Sequence, residues 1–223
     1  MIRWLAILLI TILSTACGGK PQATTTEKPP ASTPVESSTP ASEHHENQNH
    51  AAIDEAAQIA SLIDPIKLAS LRERGANSRV QKITAILIAA KTDGKNPNEI
   101  TQQAITKIGW ENTPKGDLTT AAIIRNLIIA ERLGATTPED IAAMKKGNAA
   151  TVRRGPYTGD ILSVDHIIPR SVAPSLDNTI ANLELMPLRV NQAKGNKIGD
   201  RQISLAKKLH AAGLLENPTI ASP

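Results

Sequence analysis

The adjacent carboxylate and imidazole of Asp165 and His166 are the residues of this sequence whose types are best suited to chemistry. Two side-chain amides follow, Asn182 at 16 residues after His166 and Asn191 nine residues later. An imidazole can deprotonate water near neutral pH, and carboxylate and amide oxygens are ligands that Mg²⁺ and Mn²⁺ prefer. Phosphodiester hydrolysis needs both functions, a base for the attacking water and a cation for the charge that develops on phosphate. The set therefore indicates metal-dependent phosphodiester hydrolysis.

Each of the four residues has a candidate role in such a site. His166 is the candidate general base, and Asp165 and Asn191 are the candidate ligands of one divalent metal, Mg²⁺ or Mn²⁺. Two protein ligands leave coordination positions for water and substrate oxygens, as a catalytic site requires. Asn182 has amide donors and a carbonyl acceptor, so it can bridge two loop backbones. Taken singly, these residues would be ordinary surface or turn residues, and only the ordered set points to a site.

Basic residues near these positions are candidates for contact with a substrate. Lys194 and Lys197 follow Asn191, and Arg170 follows the Asp-His pair. Lysine and arginine side chains bind phosphate oxygens, so all three are candidate phosphate-binding residues. The alternative for the two lysines is a solvated helix face.

Three sequence elements in this order resemble the HNH endonuclease motif, the catalytic core of the ββα-metal nucleases. The elements are, in chain order, Asp165-His166-Ile167-Ile168-Pro169, Asn182-Leu183, and Asn191 with Lys194-Gly195-Asn196. The resemblance extends from about Gly159 to Asp200, and Asn191 stands where some members carry histidine. It implies a nuclease with the roles given above for the base, the ligands and the loop amide. The substrate is DNA or RNA, and DNA is the preferred interpretation.

Composition limits the other kinds of site. Many proteins with this motif hold a structural zinc between two cysteine pairs, but this chain has one cysteine, Cys17, so no zinc knuckle can form. Aromatic residues make up only 1% of the chain, which argues against a base-stacking surface for single strands. The net charge of +4 permits a nucleic-acid partner without requiring one.

The motif must be carried by a strand, a returning strand and a helix. Alternating apolar residues predict a strand over Ile161–Ile168, which ends at the Asp-His pair. Leu183–Met186 is the candidate returning strand, and Leu188 to about Asn196 is the helix that would carry Asn191. A last helix, from about Ile203 to Leu214, would support the core, and His210 within it is interpreted as a packing or solvated residue.

Residues 51–150 have the apolar spacing of helices, and we expect four to six short ones. Ser78-Arg79-Val80-Gln81 fits a capping box, whereas Asn96-Pro97 and Thr137-Pro138 place proline at a first helical position. Gly134 is predicted to close a long apolar helix that runs from about Ala121 to Leu133.

One segment of this region invites a different interpretation. Residues 130–138 contain the Ala-x-x-x-Gly turn of a helix-turn-helix, and the next helix would end in Lys145-Lys146. A helix-turn-helix needs an apolar residue at position 140, however, and this chain has Asp140 there. The sequence therefore does not fit the pattern of that motif. A helical hairpin that packs under the catalytic unit is the preferred interpretation.

The N-terminal residues carry a targeting signal. Residues 1–16 consist of a short basic start and an apolar run that is too short to span a bilayer, as in a secretory signal peptide. Leu13-Ser14-Thr15-Ala16-Cys17 resembles a bacterial lipobox, although Leu13 lies four residues before the cysteine instead of three. The resemblance implies that Cys17 is lipidated and becomes the mature N-terminus. Residues 18–50 are predicted to be a disordered polar linker, in which a histidine-rich tract at 44–50 is the alternative weak metal site.

The sequence therefore predicts an α+β protein that is mainly α, with a helical region over 51–150 and an HNH unit with its C-terminal helix over 151–217. The predicted function is an exported, lipid-anchored, metal-dependent endonuclease in the cell membrane or outer membrane, facing the periplasm or the exterior. Two alternatives stay open. One is a surface lipoprotein that uses a decayed HNH scaffold for binding without catalysis, and the other is a secreted nuclease toxin.

Overall fold

The computed structural model describes residues 54–220. The sequence predictions for the signal peptide, Cys17, the linker and the histidine-rich tract lie outside the described residues. Within residues 54–220, no helix is both long enough and apolar enough to cross a membrane.

Helices make up most of the described chain. Six precede the first strand: α1 (Glu55–Ile63), α2 (Pro65–Ala69), α3 (Gly75–Thr92), α4 (Pro97–Lys107), α5 (Pro114–Arg132) and α6 (Pro138–Lys145). A two-stranded antiparallel sheet and two further helices follow, which confirms the α+β, mainly α class.

Local caps explain several helix ends. Asn96 Oδ1 accepts a hydrogen bond from the N–H of Asn98 at 2.9 Å, and Pro97 occupies the first turn of α4. Thr137 caps α6 in the same way, again with proline next. Gly134, at a φ of 71°, follows the end of α5 in the left-handed conformation that glycine adopts without strain. The predicted start and stop signals at these positions are confirmed.

The predicted capping box at Ser78 is wrong. Helix α3 begins one turn earlier at Gly75, and its N-cap residue, Arg74, has a left-handed φ of 55°. The acceptors come from a distant loop: Asp177 Oδ2 accepts from the N–H of Arg74 at 2.9 Å, and Asn178 Oδ1 accepts from the N–H two residues further on at 3.0 Å. A local pattern cannot indicate a cap that is supplied from another part of the chain.

The sheet and the helix after it form the ββα unit. Strand β1 (Leu162–His166) pairs antiparallel with β2 (Leu183–Pro187), in a register that sets Asp165 opposite Glu184. Helix α7 (Leu188–Lys194) follows β2 directly, and α8 (Asp200–Ala211) comes last. The predicted strands and helices thus lie within a few residues of their observed bounds. Two short 3₁₀ turns occupy the loop between the strands, at Pro174–Leu176 and Ile180–Asn182.

One hydrophobic core joins the helical region to the sheet. Ile83 and Leu87 of α3 and Ile123 of α5 belong to the same buried cluster as Leu162 of β1 and Leu183 of β2. A two-stranded hairpin is marginal in water without such support. The second cluster packs α8 against the loop between the strands, through buried residues that include Ile168, Leu176, Ala206 and Leu209.

Buried polar side chains of the helices fix the position of the sheet. Gln81 of α3 donates through Nε2 to the backbone oxygen of Leu162 at 2.9 Å. Asn126 of α5 donates to the oxygen of Leu183 at 3.2 Å and accepts from the N–H of Leu185 at 2.8 Å. Both side chains are buried, so these bonds satisfy edge groups of the strands that have no strand partner.

Asp140 explains why the helix-turn-helix register fails. Helix α6 packs on α3, and Asp140 is buried there at 3% exposure. Its carboxylate accepts from Arg153 Nε at 2.6 Å and from the N–H of Thr151 at 3.1 Å. The acidic residue therefore anchors the segment that leads into β1.

Candidate active site

A cleft of about 550 Å³ opens beside the end of β1, and we call it the active-site cleft. Asp165 and His166 of β1 and Asn191 of α7 all line it, so the structure brings together the three residues expected to act as ligands and base. The remaining lining residues come from β1 and the loop after it, from α7 and its end, and from the start of α3: Arg74, Asn77, Val164, Pro169, Arg170, Ser171, Leu188, Gln192, Lys194, Gly195 and Asn196.

Asp165 is buried at 6% exposure, and a lysine lies next to its carboxylate. The Lys194 ammonium lies 2.9 Å from Asp165 Oδ2. Burial raises the pKa of Asp165 above its ordinary value, the lysine opposes that shift, and the carboxylate of Glu184 across the sheet adds to it. A buried carboxylate in this setting is stabilised by a neighbouring cation, as a metal ligand would be.

Glu184, opposite Asp165, is also buried and forms ion pairs with two arginines. Arg201 of α8 donates through Nη1 to Glu184 Oε1 at 2.7 Å, and Arg125 Nε of α5 lies 3.4 Å from Oε2. Because the glutamate is at 5% exposure, these pairs join α5 and α8 to the strand next to the cleft.

The imidazole of His166 is oriented by Asp177. Its Nε2 lies 2.9 Å from the backbone oxygen of Asp177 and 2.9 Å from the carboxylate Oδ1 of the same residue. Burial lowers the pKa of His166 below its ordinary value, while the bond to the Asp177 backbone and the charges of Asp177 and Asp165 oppose the shift. A neutral ring that donates through Nε2–H keeps its lone pair on Nδ1. Within the described residues Nδ1 makes no hydrogen bond, so it is free to accept a proton from water.

Asn191 is held by the strand in a defined orientation. Its Nδ2 donates to Ser163 Oγ at 3.2 Å, and Ser163 Oγ in turn donates to the backbone oxygen of Met186 at 3.0 Å. These bonds use the amide NH₂ and leave Oδ1 as the atom available to a metal. Ser163 was missed by sequence reasoning, because a serine in a strand carries no local sign of such a role.

Asn182 lies beneath the cleft and is fully buried at 0% exposure. Its Oδ1 accepts from the N–H of Ile168 at 2.8 Å, and its Nδ2 donates to the oxygen of the same residue at 3.0 Å. The backbone oxygen of Asn182 accepts from the N–H of Ile167 at 2.8 Å. The side chain thus bridges the two ends of the loop between β1 and β2.

Lys194, a candidate phosphate contact, lines the cleft and is also paired within the protein. Its Nζ donates to the backbone oxygen of His166 at 2.7 Å and pairs with Asp165, and only 16% of the side chain is exposed. The buried carboxylate needs a counter-charge, and α7 places this lysine within reach.

Of the other two candidate phosphate contacts, Arg170 lies at the cleft and Lys197 does not. Arg170 lines the cleft, but it pairs with Glu73 at 2.8 Å and with Asp177 Oδ1 at 2.9 Å. Lys197 is exposed and lies outside the residues that line the cleft.

Asp177 is the most important residue that sequence reasoning missed. It is buried at 9% exposure, and one carboxylate contacts both His166 Nε2 and Arg170 Nε while also capping α3 at Arg74. In the sequence it is one acid in a turn before Asn182, and no local pattern marks it.

The donor set of the cleft fits a hard divalent cation. Asp165 supplies a carboxylate and Asn191 an amide oxygen, which are ligands suited to Mg²⁺ or Mn²⁺ rather than to a softer metal. Within residues 54–220, no group of three or more histidine, cysteine, aspartate or glutamate residues could hold a metal. Two protein ligands with open positions is the arrangement that a catalytic Mg²⁺ uses when water and substrate phosphate complete its shell.

Comparison with known proteins agrees with this geometry. Residues 157–199 match the family model described as HNH endonuclease. The matched segment holds both strands, the loop between them and α7, and therefore includes Asp165, His166, Asn182 and Asn191. This segment is therefore similar to an HNH endonuclease domain. No curated protein and no solved structure matches the chain.

Proposed function

We propose that this protein is an endonuclease that hydrolyses phosphodiester bonds of nucleic acid, DNA in preference to RNA, with one divalent metal. The observation that carries the proposal is the meeting of Asp165, His166 and Asn191 in one cleft, inside a segment that matches HNH endonucleases. In this proposal His166 is the base, and Asp165 and Asn191 are the metal ligands.

His166 prepares the nucleophile. Nδ1 takes a proton from a water molecule, the water oxygen forms a bond to phosphorus, and the bond from phosphorus to the leaving sugar oxygen breaks. The imidazolium that forms is stabilised at Nε2–H by the backbone oxygen and the carboxylate of Asp177, each at 2.9 Å. Burial keeps the ring neutral before the reaction, so it is in the basic form at neutral pH.

Asp165 and Asn191 would hold the metal. When bound, it would neutralise charge on the phosphate and on the leaving oxygen. The chain prepares for it by fixing Asn191 through Ser163 and by placing the Lys194 ammonium beside Asp165, which favours the ionised carboxylate. Asn182 contributes indirectly, because its bonds to Ile168 hold the loop that carries Asp177.

Cleavage by the purified full-length protein tests the proposal. Plasmid DNA, single-stranded DNA and RNA are each incubated with Mg²⁺, with Mn²⁺ or with EDTA, and cleavage is expected only with metal. His166→Ala should lose about 10²–10⁴-fold in rate and still bind metal and DNA. Asp165→Ala and Asn191→Ala should instead lose metal affinity, so that part of the rate returns at high metal concentration.

His210→Ala is the matched control for the histidine variant. His210 lies on α8, outside the residues that line the cleft, and its Nδ1 bonds to the backbone oxygen of Leu215 at 2.9 Å. This variant should cleave at the parent rate. If His166→Ala cuts as fast as the parent, the activity belongs to another site or a contaminant. A parent protein that binds nucleic acid but cuts none under any condition would favour the non-catalytic binding module.

We further propose that the chain is exported and lipid-anchored through Cys17, in the cell membrane or outer membrane. The support is the apolar run over residues 4–16 and the lipobox-like residues before Cys17. Two acyl chains anchor a protein stably where one does not.

A further inference from the structure

The positively charged side chains of the active-site cleft are not equally available to a substrate. In the described part of the chain, three cationic residues line the cleft: Arg74, Arg170 and Lys194. Lys194 pairs with Asp165, and Arg170 is in contact with two carboxylates. Arg74 is exposed and forms no salt bridge with any residue of the range 54–220. Its charge is therefore the one that is uncompensated at the cleft.

Arg74 is also held in place by the nuclease unit. It has a left-handed φ of 55°, which is unfavourable for a residue with a side chain, and its N–H donates to Asp177 Oδ2 at 2.9 Å. The same aspartate contacts His166, so the backbone of Arg74 is fixed relative to the candidate base. The N–H groups at the start of α3 are occupied by Asp177 and Asn178, and any ligand here must be met by the guanidinium itself.

We infer that Arg74 is a substrate-binding residue whose guanidinium contacts a backbone phosphate beside the one that is cleaved. A guanidinium offers a planar set of donors that matches phosphate oxygens and stays charged at every working pH. The inference rests on the proposed function and adds a residue from the helical region, outside the segment that matches the HNH family. That region then serves as part of the substrate site as well as a support for the sheet.

The unusual backbone of Arg74 allows a test that separates binding from folding. Arg74→Gly removes the charge and also relieves the left-handed strain, so its stability should equal or exceed that of the parent. Arg74→Lys keeps the positive charge but lacks the planar donor set of the guanidinium. Asn112→Gly is the matched backbone control, because Asn112 is exposed, has a left-handed φ of 54° and does not line the cleft. Arg132→Ala is the charge control, an exposed arginine at the end of α5.

The full-length protein and these variants are compared by two measurements on a short fluorescent DNA duplex. One is the dissociation constant in EDTA over a range of salt concentrations, which needs no chemistry, and the other is KM and kcat with Mg²⁺. For Arg74→Gly we expect roughly tenfold weaker binding and a similar rise in KM, a kcat close to the parent value, and a salt dependence shallower by about one phosphate contact. Arg74→Lys should recover part of the affinity, and both controls should match the parent.

The outcomes distinguish this inference from the proposed function. Parent protein that cleaves the duplex, with Arg74→Gly retaining the parent's affinity, KM and salt dependence, would overturn the role of Arg74 alone. So would a loss of affinity that accompanies a loss of stability and that lysine does not recover, since that pattern marks a structural role. Parent protein that neither binds nor cleaves the duplex would overturn the proposed function, and this inference with it.

Discussion

At the scale of single residues, Asp177 determines how the candidate base behaves. Burial lowers the pKa of His166, and the backbone and carboxylate of Asp177 together with the charge of Asp165 raise it. A base works only when it is deprotonated, so activity should fall as pH drops through the pKa of His166. The depressed pKa means that activity persists to a lower pH than an ordinary histidine would allow.

Asp177→Asn should shift the pH at which activity is lost to a still lower value. Removing the negative charge 2.9 Å from Nε2 disfavours the imidazolium, so the pKa of His166 falls and the midpoint of kcat/KM against pH shifts to lower pH. The rate on the plateau should also fall, because the imidazolium formed in the reaction loses a stabilising charge. The measurement is a pH profile of kcat/KM under constant metal.

Asp160→Asn is the control for that profile. Asp160 pairs with Arg189 at 3.3 Å, outside the residues that line the cleft, so the variant should keep the parent's midpoint. A midpoint for Asp177→Asn that is unchanged or higher would show that its carboxylate does not act on His166.

At the scale of elements, local patterns predict the ββα unit but not what surrounds it. Alternation indicates β1, the Asn182-Leu183 pair marks the start of β2, and Asn191 lies on the helix expected for it. Each of these signals is contained within a few residues of chain. The buried position of Asn182 likewise agrees with its capacity to bridge two backbones.

What the sequence cannot indicate depends on contacts between distant segments. The cap of α3 comes from Asp177 and Asn178, about a hundred residues away, so the local capping signal at Ser78 gave the wrong start. The ion pair between Lys194 and Asp165 is of the same kind, because it depends on burial that no single segment reveals.

The contacts of Asp140, on α6, with Arg153 and Thr151 can be tested by their effect on stability. Burial raises the pKa of Asp140, but bonds from Arg153, the N–H of Thr151 and the hydroxyl of Thr137 outweigh it, and the pKa lies below the ordinary value. A carboxylate with a depressed pKa stabilises the fold above its ordinary pKa and loses that effect as pH falls through the folded-state pKa.

Asp140→Asn should therefore lower the free energy of unfolding by about 1.5–3 kcal/mol at pH 7. The difference from the parent should shrink as the pH falls below the ordinary pKa of 3.8. Urea denaturation at several pH values measures it. Asp93→Asn, at the exposed end of α3, is the control and should stay within about 0.5 kcal/mol of the parent. A difference for Asp140→Asn that is constant with pH would exclude the ion pair as its cause.

At the scale of the whole molecule, the described chain has a ββα unit supported by helices that share its core. Gln81 and Asn126 satisfy backbone groups of the strands, and Arg125 and Arg201 balance the buried Glu184 beside Asp165. The family match covers residues 157–199 only, yet the cleft also takes residues from the start of α3. The helical region is therefore part of the site's construction, and mutations there should affect activity through stability as well as through contact with substrate.

The proposed membrane anchor is tested at the same scale by Cys17→Ser. The serine is nearly isosteric but cannot form the thioether to diacylglycerol, so the protein should leave the membrane fraction or accumulate as an unprocessed precursor. For the parent, we expect release from membranes by detergent and not by high salt, because acyl chains hold through burial of apolar surface and salt weakens only charge contacts. Intact-mass measurement should show a lipid-modified mature form that begins at Cys17.

Ser32→Ala, in the predicted linker, is the matched control for that variant, since it changes one residue near the N-terminus and leaves the lipobox-like residues and the cysteine in place. It should remain in the membrane fraction with the lipid mass of the parent. A parent protein that is unmodified and fully soluble would contradict the anchor, while leaving the nuclease proposal intact, because the cleft lies wholly within residues 54–220.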